Sequence, residues 1–514
     1  MSFINNFSSK QKASMNFILA IDQGTTGTTA ALINATSFEF VDQVNTEFPQ
    51  IFPKPGWVEH NLDDIWQSVR QSVQSLLANN NLKLGQIKSI GITNQRETTC
   101  AFSRTGDPLA NAIVWQDRRT SEYCRQKQHQ LDSEGRGEFL RKKTGLPFDP
   151  YFSASKMNWL LNNNNNVAQQ AQQENLLFGT IDTFLLYKLS GQKSYQTEPS
   201  NASRTLLMDL GTTNWDQELL ELFSIKQSQL PTIVDSFGEF GLTSGLDFLP
   251  DGIPITGILG DQQSALFGQA GYKIGGIKCT YGTGAFILLN TGATAVTSNN
   301  GLLTTVAFRH QGECCYALEG SSFIAGAAVQ WLRDSLKMIK SAPEVEPLAL
   351  EVKKLEEMEH IIFFPYFSGV GSPHWLPDAK ASIIGLTRDS NRAHIARATL
   401  DGIALSINDL FTAMREDSGL KIDTLKVDGG AVNNQLLMKI QATVSNLTII
   451  RPQVVETTAY GAALAAAIGS DNMTFAQIDQ LWKEESQFSP DKDETAFYQA
   501  KSQQWKSMIE KCYL

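Results

Sequence analysis

Cysteine and histidine are scarce in this chain, with six of each in 514 residues. The cysteines (Cys100, Cys124, Cys279, Cys314, Cys315, Cys512) show no CxxC spacing, and two are adjacent. That pattern excludes a zinc ribbon and a disulfide framework and points to a reducing cytoplasm. The histidines are equally dispersed, with no HExxH pair, so no zinc-hydrolase helix is expected. No apolar run approaches the ~20 residues needed to cross a bilayer, so no membrane span is expected. Basic residues are outnumbered 43 to 53, a net charge of −10, which excludes a broad nucleic-acid surface. Any phosphorylated ligand must therefore be held by a local site. The first fifteen residues are polar and lack the apolar core of a signal peptide, so residues 1–15 are expected to be a disordered extension.

What is present is an alternation of strand-like and helix-like segments, the pattern of an α/β protein with more than one domain. The most informative is Phe17-Ile-Leu-Ala-Ile-Asp22-Gln-Gly24-Thr25-Thr26-Gly27, followed at once by a second apolar run. An apolar strand delivers one carboxylate into a Gly/Thr turn. The glycines let backbone approach a phosphate while amides and hydroxyls donate to it, and Asp22 is placed to hold a hydrated Mg²⁺ beside it. No Lys follows the glycines, so this is not a Walker A loop. The same strand, turn and strand return without the Asp at Ile277 to Leu289, around Gly282-Thr283-Gly284, which suggests two related halves. A third turn, Asp428-Gly429-Gly430, joins a strand to a helix.

Between these lie the candidates for chemistry. The strand Ile87 to Thr93 ends in Asn94-Gln95-Arg96-Glu97. Neighbouring side chains on a strand point to opposite faces, so Arg96 and Glu97 reach one ligand only if the chain turns after Asn94; otherwise they form an exposed ion pair. Trp115 and Tyr151 offer aromatic faces for the CH groups of a polyol, or for a core. Asp261 stands between an apolar strand and a small-residue helix, in Gly260-Asp261-Gln262-Gln263. It suits a helix N-cap, and it also suits a base that takes a hydroxyl proton during phosphoryl transfer. Gln262 is placed to bind a neighbouring hydroxyl. Elsewhere, Asp63 is expected to start a helix reaching Leu77, Asn162 to Asn166 reads as a solvated insertion or helix end, and Thr457 to Ile468 as a close-packing helix. A C-terminal helix, Phe497 to Leu514, is expected to dock on the surface.

In their order these segments resemble the FGGY family of carbohydrate kinases, and its glycerol-phosphorylating branch in particular. The likeness rests on Asp22-Gln-Gly-Thr-Thr26, Pro53-Lys-Pro-Gly-Trp-Val-Glu-His60, Gly91-Ile-Thr-Asn-Gln-Arg-Glu-Thr-Thr99 and Ala112-Ile-Val-Trp-Gln-Asp-Arg-Arg-Thr120. It continues through Asp149-Pro-Tyr-Phe-Ser153, Asn201-Ala-Ser-Arg-Thr205, Gly260-Asp-Gln-Gln263, Thr280-Tyr-Gly-Thr-Gly284 and Val427-Asp-Gly-Gly-Ala431.

The resemblance implies two related actin-like ATPase (ribonuclease H-like) domains with the active site in the cleft between them. The N-terminal domain would span 16–268, with the polyol site and first phosphate loop. The C-terminal domain would span 269–514, with the second phosphate loop, the adenosine site and the C-terminal helices. It further implies ATP-dependent conversion of glycerol to sn-glycerol 3-phosphate, the step that admits glycerol to catabolism, with Mg²⁺ organised by Asp22. Arg96, Glu97, Tyr151, Asp261 and Gln262 would hold glycerol by its hydroxyls, with Trp115 and Phe286 along its carbon edge and Asp261 as base. Thr25, Thr26, Gly27 and Thr283 would meet the phosphates, and Gly326, Gln330, Gly430 and Asn434 would line the nucleoside pocket. A homodimer or homotetramer is common among such relatives. One departure stands out: position 29, where the family pattern carries an arginine, is Thr29. A kinase for another polyol, a binding regulator without catalysis, and an actin- or chaperone-like ATPase are the alternatives.

Overall fold

The computed structural model describes residues 15–376 and 378–514. Residues 1–14 of the expected N-terminal extension lie outside the described residues, whereas the carbonyl of Met15 already accepts a hydrogen bond from Gln86 Nε2 at 2.8 Å.

The chain builds two mixed sheets of the same plan. The first comprises β1 (Phe17–Gln23), β2 (Gly27–Asn34), β3 (Phe40–Glu47), β4 (Ile87–Asn94), β5 (Phe237–Leu242) and β6 (Pro254–Gly260), in the order β5-β6-β4-β1-β2-β3. The β1–β2–β3 stretch is an antiparallel meander, whereas β4 and β6 run parallel to β1. Helix α1 (Leu62–Asn79) packs on β2 and β3 through Ile65, Val69, Val73 and Leu76, the apolar face that the spacing predicts. Its cap is Asn61, whose side chain accepts from the amides of Asp63 and Asp64; Asp63 sits in the first turn, where its charge still favours the helix dipole.

The second sheet follows helix α2 (Asp261–Gly268). It comprises β7 (Ile277–Tyr281), β8 (Ala285–Gly292), β9 (Leu303–His310), β10 (Glu313–Ser322), β11 (Thr424–Asp428), β12 (Thr448–Pro452) and β13 (Glu484–Phe488). Its order is β9-β10-β8-β7-β11-β12-β13, again a hairpin (β7–β8) extended by antiparallel strands on one side and, on the other, by the parallel strands β11 and β12 with an antiparallel edge strand β13. The faint internal echo in the sequence is thus a duplicated sheet, and the architecture is the two-domain α/β, actin-like plan that the resemblance implies.

Two helices fill the space between the sheets. Helix α2 sends Leu266 against Leu288 and Ala317 of the second sheet. The small-residue helix, Thr457–Gly469, comes from the second half of the chain yet lies on the first sheet and along α2. Glycines make this approach possible: a Cβ on Gly91 of β4 would sit 2.0 Å from the carbonyl of Ala462, and one on Gly461 would sit 1.9 Å from that of Ser264.

The Asn-rich stretch is a junction of two helices, Ser153–Asn163 and Asn165–Gln172, with Asn164 capping the second through the amides of Asn166 and Val167. The C-terminal helix, Thr495–Cys512, is sunk deeper than surface docking suggests. Trp505 and Ile509 are buried against Phe364, and Trp505 Nε1 donates to Asp409 Oδ2 at 2.6 Å. Its periodicity located the buried face but carried no information on depth.

Candidate functional site

Because β1, β4 and β6 run parallel, their carboxyl ends share one edge and bring Asp22, Arg96, Glu97 and Asp261 to the same side of the first sheet. The chain turns directly after β4. Glu97 has a φ of 59° and the Thr98 amide donates to the Arg96 carbonyl at 2.7 Å, a three-residue turn that a non-glycine residue enters only under strain. This turn brings two consecutive side chains into one buried network. Neither is exposed, and they do not pair with each other.

Their partners form a buried network that crosses the two sheets. Arg96 grips Glu319 of β10 with both terminal nitrogens, at 2.5 and 3.0 Å, and reaches Asp261 Oδ1 through Nε at 3.1 Å. Arg204 joins Glu319 at 3.0 Å and holds Glu97 Oε1 at 2.6 Å. Arg96, Arg204, Glu97 and Glu319 are all at least 97% buried, two charges of each sign. Burial pushes the Glu97 carboxyl up, against the pull of Arg204 and Arg96. At Glu319 burial also pushes upward, but the two guanidiniums prevail and hold its carboxyl below the ordinary value.

An aromatic wall closes this corner. The Trp115 ring meets Tyr151 edge-on at 5.7 Å and Phe286 of β8 at 6.2 Å. Its Nε1 donates to Thr25 Oγ1 at 3.0 Å, which ties the wall to the first Gly/Thr turn. Tyr151 lies over the Arg204 guanidinium, 5.6 Å from the ring centre, and the buried Lys156 ammonium fixes the Tyr151 carbonyl at 2.6 Å.

Asp261 is the first residue of α2, after Gly260 at the cap position. Its Oδ1 accepts from the Gln262 amide at 2.7 Å and pairs with Arg96 Nε at 3.1 Å, while among the described residues Oδ2 accepts from no protein donor and is open to solvent. The next side chain, Gln262, turns its Oε1 to the buried ammonium of Lys278 on β7.

Asp22 keeps only a small opening to the cleft, and the protein around it desolvates it. Desolvation, then the charges of Asp261 and Glu456, push its carboxyl up to about 8. Thr29 is its direct cross-strand partner and offers no compensating charge. Among the described residues no side chain donates to the Asp22 carboxylate, and no cluster of three or more His, Cys, Asp or Glu forms a metal cage. Mg²⁺ takes one or two carboxylates and completes its shell with water and phosphate oxygens, so this donor set fits that ion.

The first turn is braced from behind by a motif whose role the sequence did not reveal. Gln95 Nε2 donates to Gln23 Oε1 at 3.0 Å and to the Gly24 carbonyl at 3.1 Å, and it lies 3.3 Å from His60 Nδ1. His60 Nε2 meets Gln50 Oε1 at 2.6 Å. The Gln50 amide oxygen accepts only, which puts a proton on Nε2, and Nδ1 faces the Gln95 amide donor, so His60 is neutral, and burial pulls its pKa down to about 4. In the turn itself Thr26 is exposed, whereas Gly27 is pressed against β3, where a Cβ would come within 3.0 Å of the Thr46 carbonyl.

The parallel pair β7 and β11 similarly ends beside α3 (Gly326–Asp334), around a cavity of about 400 Å³. Thr283, Gly326, Gln330, Gly430 and Asn434 all line it, whereas Thr25, Thr26 and Gly27 do not. Gly326 must be glycine, since a Cβ would stand 2.6 Å from the Gly282 carbonyl. Gly429 has a φ of 91° and passes so near Tyr281 that a Cβ would meet its carbonyl at 2.5 Å. Arg333 and Glu346 also line the cavity, and both escaped the sequence reading. The i, i+3 spacing from Gln330 to Arg333 was the available signal for Arg333.

Phosphate-type turns from both halves, an acidic residue at a strand end and a nucleoside-sized cavity are the features expected from the resemblance. The sequence profiles of the FGGY family of carbohydrate kinases match directly, the N-terminal domain over residues 17–268 and the C-terminal domain over 277–470. The glycerol kinase of Myxococcus xanthus is 49% identical over 478 residues, which cover 92% of this chain and 95% of that protein. That of Bdellovibrio bacteriovorus is 48% identical over 476 residues, 92% and 94% of the two chains. The crystal structure of Plasmodium falciparum glycerol kinase with ADP superposes with a TM-score of 0.87 at 35% identity, covering 97% of this chain and 99% of that one. With both domain profiles matched and relatives near half identity along nearly the whole length, the chain belongs to the FGGY family of carbohydrate kinases.

Proposed function

We propose that the chain transfers the γ-phosphoryl group of ATP to a terminal hydroxyl of glycerol, giving sn-glycerol 3-phosphate and ADP. The observation that carries this reading is the Asp261 carboxylate. One oxygen pairs with Arg96 Nε at 3.1 Å and accepts from the Gln262 amide at 2.7 Å, while among the described residues the other accepts from no protein donor and is open to solvent. Relatives named glycerol kinase at 48–49% identity support the choice of polyol.

In this reading Arg96, Glu97, Tyr151 and Gln262 orient the triol by its hydroxyls, and the rings of Trp115 and Phe286 cover its CH groups. Asp261 Oδ2 accepts the proton of the attacking hydroxyl as its oxygen bonds to the γ-phosphorus. The bond to the β-phosphate oxygen breaks, and ADP leaves. The phosphates run between the Thr25–Gly27 and Gly282–Gly284 turns, with the nucleoside in the cavity beside α3. Mg²⁺ held at Asp22 would spread the charge of the phosphates. Closure of the two halves would exclude water, a competing phosphoryl acceptor.

Among the described residues no helix is long and apolar enough to cross a membrane; a cytoplasmic site of action is part of this proposal. A coupled ADP-release assay tests it. Release that requires glycerol and Mg²⁺ is expected. Release independent of glycerol indicates an ATPase, and glycerol binding without release indicates a regulator.

A further inference from the structure

Lys278 is fully buried on β7, and nothing in the reaction above uses it. It shares a face of the strand with Thr280, as residues two apart do, and that face meets the start of α2. Its three protons find three acceptors: Gln262 Oε1, Thr280 Oγ1 at 2.8 Å and the Phe286 carbonyl at 3.5 Å. No proton is left over for a ligand. One acceptor belongs to a residue that would bind substrate, and another is the backbone of a ring in the substrate wall.

An ammonium has donors and no lone pair, so the amide atom of Gln262 facing it has to be the oxygen. The amide is thereby locked against rotation, and Nε2 points the other way. Among the described residues Nε2 donates to no protein acceptor, and it is absent from the buried, unpartnered polar atoms, so it remains open to the cleft. The two carboxylates assigned to the polyol in the reading above, Asp261 and Glu97, only accept when ionised.

We propose that Lys278 is a positioning residue that fixes Gln262 as a hydrogen-bond donor toward one hydroxyl of the polyol, and so sets affinity for the acceptor substrate and not for the nucleotide. This rests on the glycerol-phosphorylating reading above. A free amide would spend part of its time turned by half a rotation, presenting an acceptor to a polyol for which Asp261 and Glu97 already supply acceptors. The locked amide adds the donor that two carboxylates cannot supply.

The test is steady-state ADP release with glycerol and ATP varied separately, with thermal melts of each variant. Wild-type release that does not depend on glycerol would overturn the functional reading itself, so the two failures are distinct. Given glycerol dependence, Lys278→Met is expected to raise the glycerol KM about tenfold and to leave the ATP KM within about twofold. Lys278→Gln, which restores a neutral donor, recovers most of the loss. Gln262→Glu keeps Lys278 paired and the fold intact while replacing the donor by an acceptor, and it too raises the glycerol KM about tenfold. This variant decides the question if Lys278→Met does not fold. A glycerol KM unchanged in Gln262→Glu, an equal rise of both KM values in Lys278→Met, or no recovery in Lys278→Gln would overturn the proposal.

Discussion

Glu319→Gln probes the joint on which the polyol corner depends. Glu319 lies in β10 of the second sheet, fully buried, and holds two guanidiniums from the first half: Arg96 at 2.5 and 3.0 Å, and Arg204 at 3.0 Å. The substitution changes shape hardly at all but removes one of the three carboxylates that pair with the two guanidiniums. Arg96 and Arg204 then share Glu97 and Asp261 as their remaining anionic partners, and an amide nitrogen faces one of them. Breaking a buried pair by deleting one member costs about 3–5 kcal/mol, since the other charge stays buried without compensation. Because the pair spans the two halves, the loss should appear first as a loosened corner. Arg96, no longer held by two parallel bonds, stops presenting Nε to Asp261. The assay is urea unfolding followed in parallel with glycerol-dependent ADP release. The expected result is a drop in stability of several kcal/mol together with a glycerol KM raised by at least about tenfold. A stability change under about 1 kcal/mol with an unchanged glycerol KM would refute the claim that this network sets the site.

Two further substitutions test other parts of the structure. His60 is neutral in the fold, with a pKa pulled down to about 4 from the usual 6.5. The folded state therefore binds fewer protons than the unfolded chain between those values, and stability present above pH 6.5 is lost as pH falls toward 4, on the order of 3 kcal/mol in all. His60→Gln should flatten that part of the pH–stability profile measured by urea unfolding. Its failure to do so would remove His60 from the acid sensitivity. Gly461→Ala places a Cβ about where the Ser264 carbonyl lies, at 1.9 Å, so the interface between α2 and the small-residue helix must open. Overpacking of this kind costs about 1–3 kcal/mol or more, and a melting temperature equal to wild type would contradict the packing.

The parts of this protein that were legible in its sequence are those made by neighbouring residues. Asp22 with its Gly/Thr turn, the Arg96-Glu97 pair and Asp261 at a helix start are local arrangements, and residue type with spacing suffices to find them. The nucleoside-side positions Gly326, Gln330, Gly430 and Asn434 were legible only through the family resemblance, and they do line one cavity. What stayed hidden is tertiary. Glu319 pairs with Arg96 across 223 residues, and in the sequence it is one of two glutamates in the strand Glu313–Ser322. Nothing local to that strand names its partner. The same holds for Lys278, and for the helix Thr457–Gly469, whose small residues announced close packing without saying that it lies on the first sheet. His60 was visible within its motif, but its link to Gly24 passes through Gln95 on another segment. At the start of α1, Asn61 and Asp63 are both good caps, and only the backbone decides between them.

The most direct test of the account is Asp261→Asn, with turnover and glycerol binding measured on the same preparation. The amide keeps the size of the side chain and a carbonyl for Arg96, but it cannot take up the hydroxyl proton, a role worth about 10²–10⁴ in rate. The account predicts that calorimetry still detects glycerol while ADP release falls by at least about a hundredfold. Asp261→Asn turning over at the wild-type rate would contradict it.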